Sequence, residues 1–107
     1  MEGGAVQGLG YALTEDVMLG EGQVRNPNLT DYRVFTALDV PAIETVMVEE
    51  ASAEGPYGAR GVGEPPLVPT APAVANAVYD AVGVRITELP ITSEKVLAAL
   101  RAKQGKE

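Results

Sequence analysis

Gly58-Ala59-Arg60-Gly61-Val62-Gly63-Glu64-Pro65-Pro66 sets one carboxylate between a run of glycines and a pair of prolines. Glycine adopts backbone angles that other residues resist and lets a large group come close. Proline fixes φ and removes a backbone donor. A glutamate between such neighbours is restricted in position, which general-base chemistry requires of a carboxylate. The same composition also serves simply to turn a chain at the surface. The surrounding sequence has to separate the two readings.

Downstream the pattern is helical. Thr70 can cap a helix over 70–82, Pro72 falls in its first turn and Gly83 stops it. Val74, Val78, Ala81 and Val82 form its apolar stripe. Residues 84–89 read as a short strand ended by Pro90. A last helix over 92–103 carries Glu94 in its first turn, Val96, Leu97 and Leu100 inward, and basic residues towards its end, as the helix dipole favours.

Upstream of the Gly/Glu loop (55–66), residues 43–49 read as a strand with apolar residues on both parities, hence covered on both faces. The irregular stretch before it holds Tyr32, Val34, Phe35 and Leu38, which need something to pack against. Residues 17–25 read as a hairpin turning at Gly20-Glu21-Gly22. Residues 2–15 read as a helix despite four glycines, with Val6, Leu9 and Leu13 on one face and Gln7, Tyr11 and Thr14 on another. Each glycine costs a helix roughly 1 kcal/mol relative to alanine. Such a helix makes sense where something approaches its backbone closely. On pattern alone, Gln7 is a solvated helix residue. The resulting order, helix–hairpin–strand–helix–strand–helix, is a small single α+β domain.

Composition removes many chemistries. The 107 residues hold no cysteine and no histidine, which excludes thiol nucleophiles, disulfides and histidine-based triads within the chain. Eight basic against fifteen acidic residues give a net charge of -7, the wrong sign for nucleic acid or an anionic membrane surface. The apolar runs are too short for a membrane span, and a cytoplasmic location is expected. The glycines match neither a phosphate-binding loop nor a dinucleotide fingerprint. Glu49-Glu50 face opposite ways if the segment is a strand, and Ser52 and Ser93 have no histidine to activate them. By elimination, Glu64 is the candidate general base.

Three segments then carry a resemblance. Glu2-Gly3-Gly4-Ala5-Val6-Gln7-Gly8-Leu9-Gly10-Tyr11-Ala12-Leu13, Asn28-Leu29-Thr30-Asp31-Tyr32 and Gly61-Val62-Gly63-Glu64-Pro65-Pro66-Leu67 resemble, in order, motifs of the xanthine dehydrogenase and aldehyde oxidase family. Thr92 to Leu100 is similar to the closing helix of the same subunit. The resemblance implies the C-terminal end of a molybdenum-binding large subunit, a piece of a larger molybdopterin-binding domain. It implies a molybdenum–pterin cofactor, as molybdopterin or its cytosine dinucleotide form, whose dithiolene holds the metal without protein Cys or His. Glu64 matches the family's catalytic glutamate, a base toward a molybdenum-bound hydroxide in the hydroxylation of an aldehyde or N-heterocycle. Gln7 matches a glutamine that hydrogen-bonds the cofactor.

The implied partners are the remainder of the molybdenum subunit and iron–sulfur and FAD subunits or domains. Arg60 stands where the family frequently has lysine, which keeps the charge. Because the family's large subunit is several times longer, this chain is expected to be inactive alone, with cofactor bound only in the assembled enzyme. Its exposed apolar segments favour self-association of the isolated chain. The rival readings are a non-catalytic relic or interaction module that keeps the fold, and a free-standing cofactor-delivery protein, for which no basic residue lies close to Gln7 in sequence.

Overall fold

The computed structural model describes residues 1–105 and contains three helices and one two-stranded hairpin. Helix α1 (Glu2–Leu13) is followed by β1 (Leu19–Gly20) and β2 (Gln23–Val24), a long irregular segment, and two 3-10 turns at Pro56–Gly58 and Pro65–Leu67. Helices α2 (Thr70–Val82) and α3 (Ser93–Gln104) complete the order.

The buried residues of α1 are Gly8, Gly10 and Ala12, so the helix presents its backbone rather than large side chains to its neighbours. Val6, Leu9 and Leu13 are only half-buried. The helix ends at Leu13, two residues earlier than the expected 2–15, where the Thr14 and Glu15 amides both donate to the Gly10 carbonyl at 2.9 Å. Thr14 Oγ1 then donates to the Arg33 carbonyl at 2.8 Å, tying the helix end to the irregular segment.

The hairpin is antiparallel, pairing Leu19 with Val24 and Gly20 with Gln23. Glu21 (φ 51) and Gly22 (φ 77) both have positive φ, the requirement of a type I′ two-residue turn. Asn26, only 3% exposed, clasps the base of the hairpin. Its Oδ1 accepts from the Met18 amide at 2.9 Å and its Nδ2 donates to the Asp16 carbonyl at 2.6 Å.

Neither expected strand forms. Residues 43–49 and 84–89 carry no strand pairing, although their apolar, β-branched composition suits one. A strand needs a partner backbone, and these segments find none among the described residues. Val46, Met47 and Val48 are left 69%, 76% and 89% exposed. The segment at 84–91 serves the core instead. Val84 and Ile91 are buried with Ala12, and the Ile91 amide donates to the Ala12 carbonyl at 2.6 Å.

Helix α2 is stopped by Gly83 in the left-handed conformation (φ 67), with its amide bonded to the Tyr79 carbonyl. Val74, Val78 and Val82 form its half-buried stripe, while Ala81 is exposed. The expected cap at its start is corrected: Pro69 is the N-cap and no side chain caps it. At α3, Thr92 accepts from the Lys95 amide as a side-chain cap, and Leu97, expected inward, is 48% exposed.

The molecule is extended, measuring 56 × 39 × 28 Å with a radius of gyration of 17.7 Å, against about 13 Å for a compact domain of this length. Its accessible surface is 8343 Å², where a compact monomer of 11.1 kDa exposes about 5,700 Å². Among the described residues, no helix is long and apolar enough to cross a membrane.

Candidate functional site

The site grows from the meeting of α1 with the Glu64 loop. A Cβ at Gly4 would lie 3.1 Å from the Gly63 carbonyl oxygen and 3.1 Å from Pro66 Cβ. A Cβ at Gly8 would lie 2.5 Å from Thr70 Cβ and 2.9 Å from its Oγ1. The Gly8 distances are shorter than real Cβ atoms show and the Gly4 distances are tight, so these glycines are where the loop and the start of α2 lie against the helix. At Gly4 and Gly8, what approaches the helix backbone closely is protein: Gly63, Pro66 and Thr70. Gly3 has open space where its Cβ would be.

Within the loop, Glu64 precedes the 3-10 turn Pro65–Leu67, and its carbonyl accepts from the Leu67 amide at 2.9 Å. The Val68 amide reaches the Pro65 carbonyl at 3.2 Å. Two consecutive prolines fix φ immediately after the glutamate and supply no backbone donors needing partners. Thr70 Oγ1 donates to the Pro66 carbonyl at 2.8 Å, closing the loop onto α2. The Glu64 backbone is helical (φ -90, ψ -30), where a residue before proline is usually extended.

Glu64 and Gln7 are both exposed. Gln7 Nε2 donates to Tyr11 Oη at 3.4 Å, a long bond that leaves the rest of the amide's capacity open. No hydrogen bond joins Gln7 to Glu64 among the described residues, but their elements touch directly through Gly4. A solvent-facing carboxylate and amide on adjoining elements fit one wall of a site for a polar pterin group. Among the described residues, no cluster of three or more acidic side chains could hold a metal ion.

Two further features were not foreseen from sequence. Tyr32 Oη donates to Glu15 Oε2 at 2.6 Å, and this bond, with burial and the carboxylate charge, pushes the phenol up to about 12. A cleft of about 510 Å³ lies beside the Gly/Glu loop, lined by Met1, Met47, Val48, Tyr57, Arg60 and Val62 among others, but by neither Gln7 nor Glu64. Part of its wall is a turn in which Tyr57 (φ 54) and Gly58 (φ 74) are both left-handed.

Residues 1–41 match the molybdopterin cofactor-binding domain family, and the fold is consistent with a fragment of such a domain. The chain is 42% identical over 98 residues to the xanthine dehydrogenase molybdenum-binding subunit of Escherichia coli O157:H7, covering 90% of this chain and 13% of that one. It is 41% identical over 101 residues to the aldehyde oxidoreductase of Megalodesulfovibrio gigas, covering 94% of this chain and 11% of that protein. The crystal structure of quinoline 2-oxidoreductase from Pseudomonas putida 86 matches with a TM-score of 0.82 at 34% identity, over 94% of this chain and 13% of that one. The chain belongs to the xanthine dehydrogenase and aldehyde oxidase family, and it spans about one-eighth of the length of these relatives.

Proposed function

We propose that this chain supplies one wall of a molybdenum hydroxylase active site, with Glu64 as the general base and Gln7 as a hydrogen-bonding contact to the pterin cofactor. The observation that carries the reading is the seating of Gly63 and Pro66 on Gly4, which sets the glutamate loop against the helix that bears the glutamine. When bound, the cofactor supplies the two-electron redox chemistry of hydroxylating an aldehyde or N-heterocycle with oxygen from water. Glu64 would serve as the proton acceptor, holding the proton on its carboxylate. Its position before two prolines limits how far the carboxylate moves between turnovers. Gln7, a neutral amide with both donors and an acceptor, orients the cofactor edge without changing its charge.

One carboxylate and one amide do not make a complete site, so the remaining walls come from other segments of a molybdenum subunit. Iron–sulfur and FAD modules would carry the electrons away. In the assembled enzyme Glu64→Gln is expected to lower turnover by roughly 10²–10⁴-fold while molybdenum content stays near normal. Loss of the cofactor with unchanged activity per molybdenum would instead make Glu64 a structural residue. A metal-free particle built of this chain alone would favour the non-catalytic relic.

A further inference from the structure

We infer that Thr70 is a positioning residue that sets Glu64, through the 3-10 turn, against the glutamine helix. The inference rests on the reading of Glu64 as the base. Thr70 touches both partners at once. Its hydroxyl donates to the Pro66 carbonyl at 2.8 Å, and its Cβ sits where only a glycine, Gly8, leaves room on α1.

The hydroxyl is not occupied as a helix cap, since Pro69 is the N-cap and no side-chain cap bond is made. Instead it reaches back four residues to a carbonyl inside the turn that follows Glu64. That turn is held from the other side by Gly4, against Gly63 O and Pro66. Residues 64–68 are thus fixed at three points: the Gly4 contact, the internal bonds from the Leu67 and Val68 amides, and the Thr70 hydroxyl. Of these, only the Thr70 link joins loop, α1 and α2 through one side chain. Removing it leaves Glu64 in place in the sequence but frees the turn to tilt relative to Gln7.

Two substitutions separate the hydroxyl from the packing. Thr70→Val keeps the branched shape against Gly8 and removes the donor, whereas Thr70→Ser keeps the donor and removes the methyl. In the assembled molybdenum enzyme, Thr70→Val is expected to lower kcat about tenfold with KM within about twofold and molybdenum content unchanged. Thr70→Ser is expected to stay near the parent. Independently of activity, hydrogen exchange at the Leu67 and Val68 amides is expected to quicken about fivefold in Thr70→Val, matching the loss of one ordinary hydrogen bond. Residues 64–69 include three prolines, so few other amides dilute that signal.

Exchange at the Ile91 amide, bonded to Ala12, serves as the folding control and should not change. Thr70→Val with unaltered loop exchange, or with faster exchange but unaltered kcat, would overturn the assignment. So would equal impairment of both variants. If Glu64→Gln retains turnover, the general-base reading fails on that measurement alone, while the exchange data still report whether Thr70 holds the loop.

Discussion

The two ends of the chain and its middle follow different rules. Where α1 meets the Glu64 loop, α2 and the segment at 84–91, contacts are so close that Gly8 has no room for a methyl group, and Ala12 is wholly buried. Between about 34 and 63, by contrast, no helix or strand longer than the 3-10 turn at Pro56–Gly58 forms, and Leu38, Val48 and Tyr57 are 98%, 89% and 108% exposed. Both regions are apolar, so hydrophobicity alone does not make the difference. A helix satisfies its own backbone and needs only a surface to lie on. An extended segment needs another backbone alongside it. The packed region finds its contacts within this chain, whereas the middle shows an apolar surface of the kind that marks an interaction site.

The sharpest way to break this contrast is at the glycines. Gly8→Val in the native assembly is expected to lower stability by about 2 kcal/mol in urea unfolding, because the added atoms collide with Thr70. Gly3→Ala, with open space at its Cβ, should instead be neutral or stabilising by up to about 1 kcal/mol. Equal effects at the two positions would show that the packed region is not packed through α1. A smaller effect is expected in the middle. Val48→Lys should change the unfolding free energy by no more than about 0.5 kcal/mol within this chain. A larger loss in the full assembly would measure how much of Val48 is covered there.

The smallest effect is a titration. Tyr32 should ionise near 12 when followed by ultraviolet absorbance, and Glu15→Gln should return it towards the ordinary value of about 10. Because its folded pKa is raised, the stabilisation from the Tyr32–Glu15 bond is complete below about pH 10 and fades as pH climbs through about 12. Asp39 works in the opposite sense. The Thr36 hydroxyl and amide hold its carboxyl below the usual range, so its contribution is present at neutral pH and fades as acid brings pH down through that lowered value. If Glu15→Gln leaves the Tyr32 ionisation unchanged, the tie between the α1 end and the irregular segment is absent.

The helices were legible because their signals are local: Gly83 as a stop, Thr92 as a helix start with Glu94 in the first turn, and the spacing of Val74, Val78 and Val82. The hairpin was legible from its glycines. The strands at 43–49 and 84–89 were misread because strand formation depends on a partner that β-branched composition does not reveal. Glu64 and Gln7 were found as motif residues. The reason for the glycines around Gln7 was not, because a sequence shows where side chains are missing but not what fills the space. Thr70 was read as a cap for the same reason: a threonine before a helical run looks alike whether its hydroxyl points forward to an amide or back to a carbonyl.

The fit of Gly8 against Thr70 also has a genetic consequence. Every single-base missense change of a glycine codon installs a residue with a Cβ, so no such change at Gly8 is free of collision. The same base changes five codons upstream, at Gly3, meet empty space. Along one short helix, harm from point mutation should therefore alternate with tolerance according to which neighbour lies outside the helix, and not according to how conservative each replacement looks.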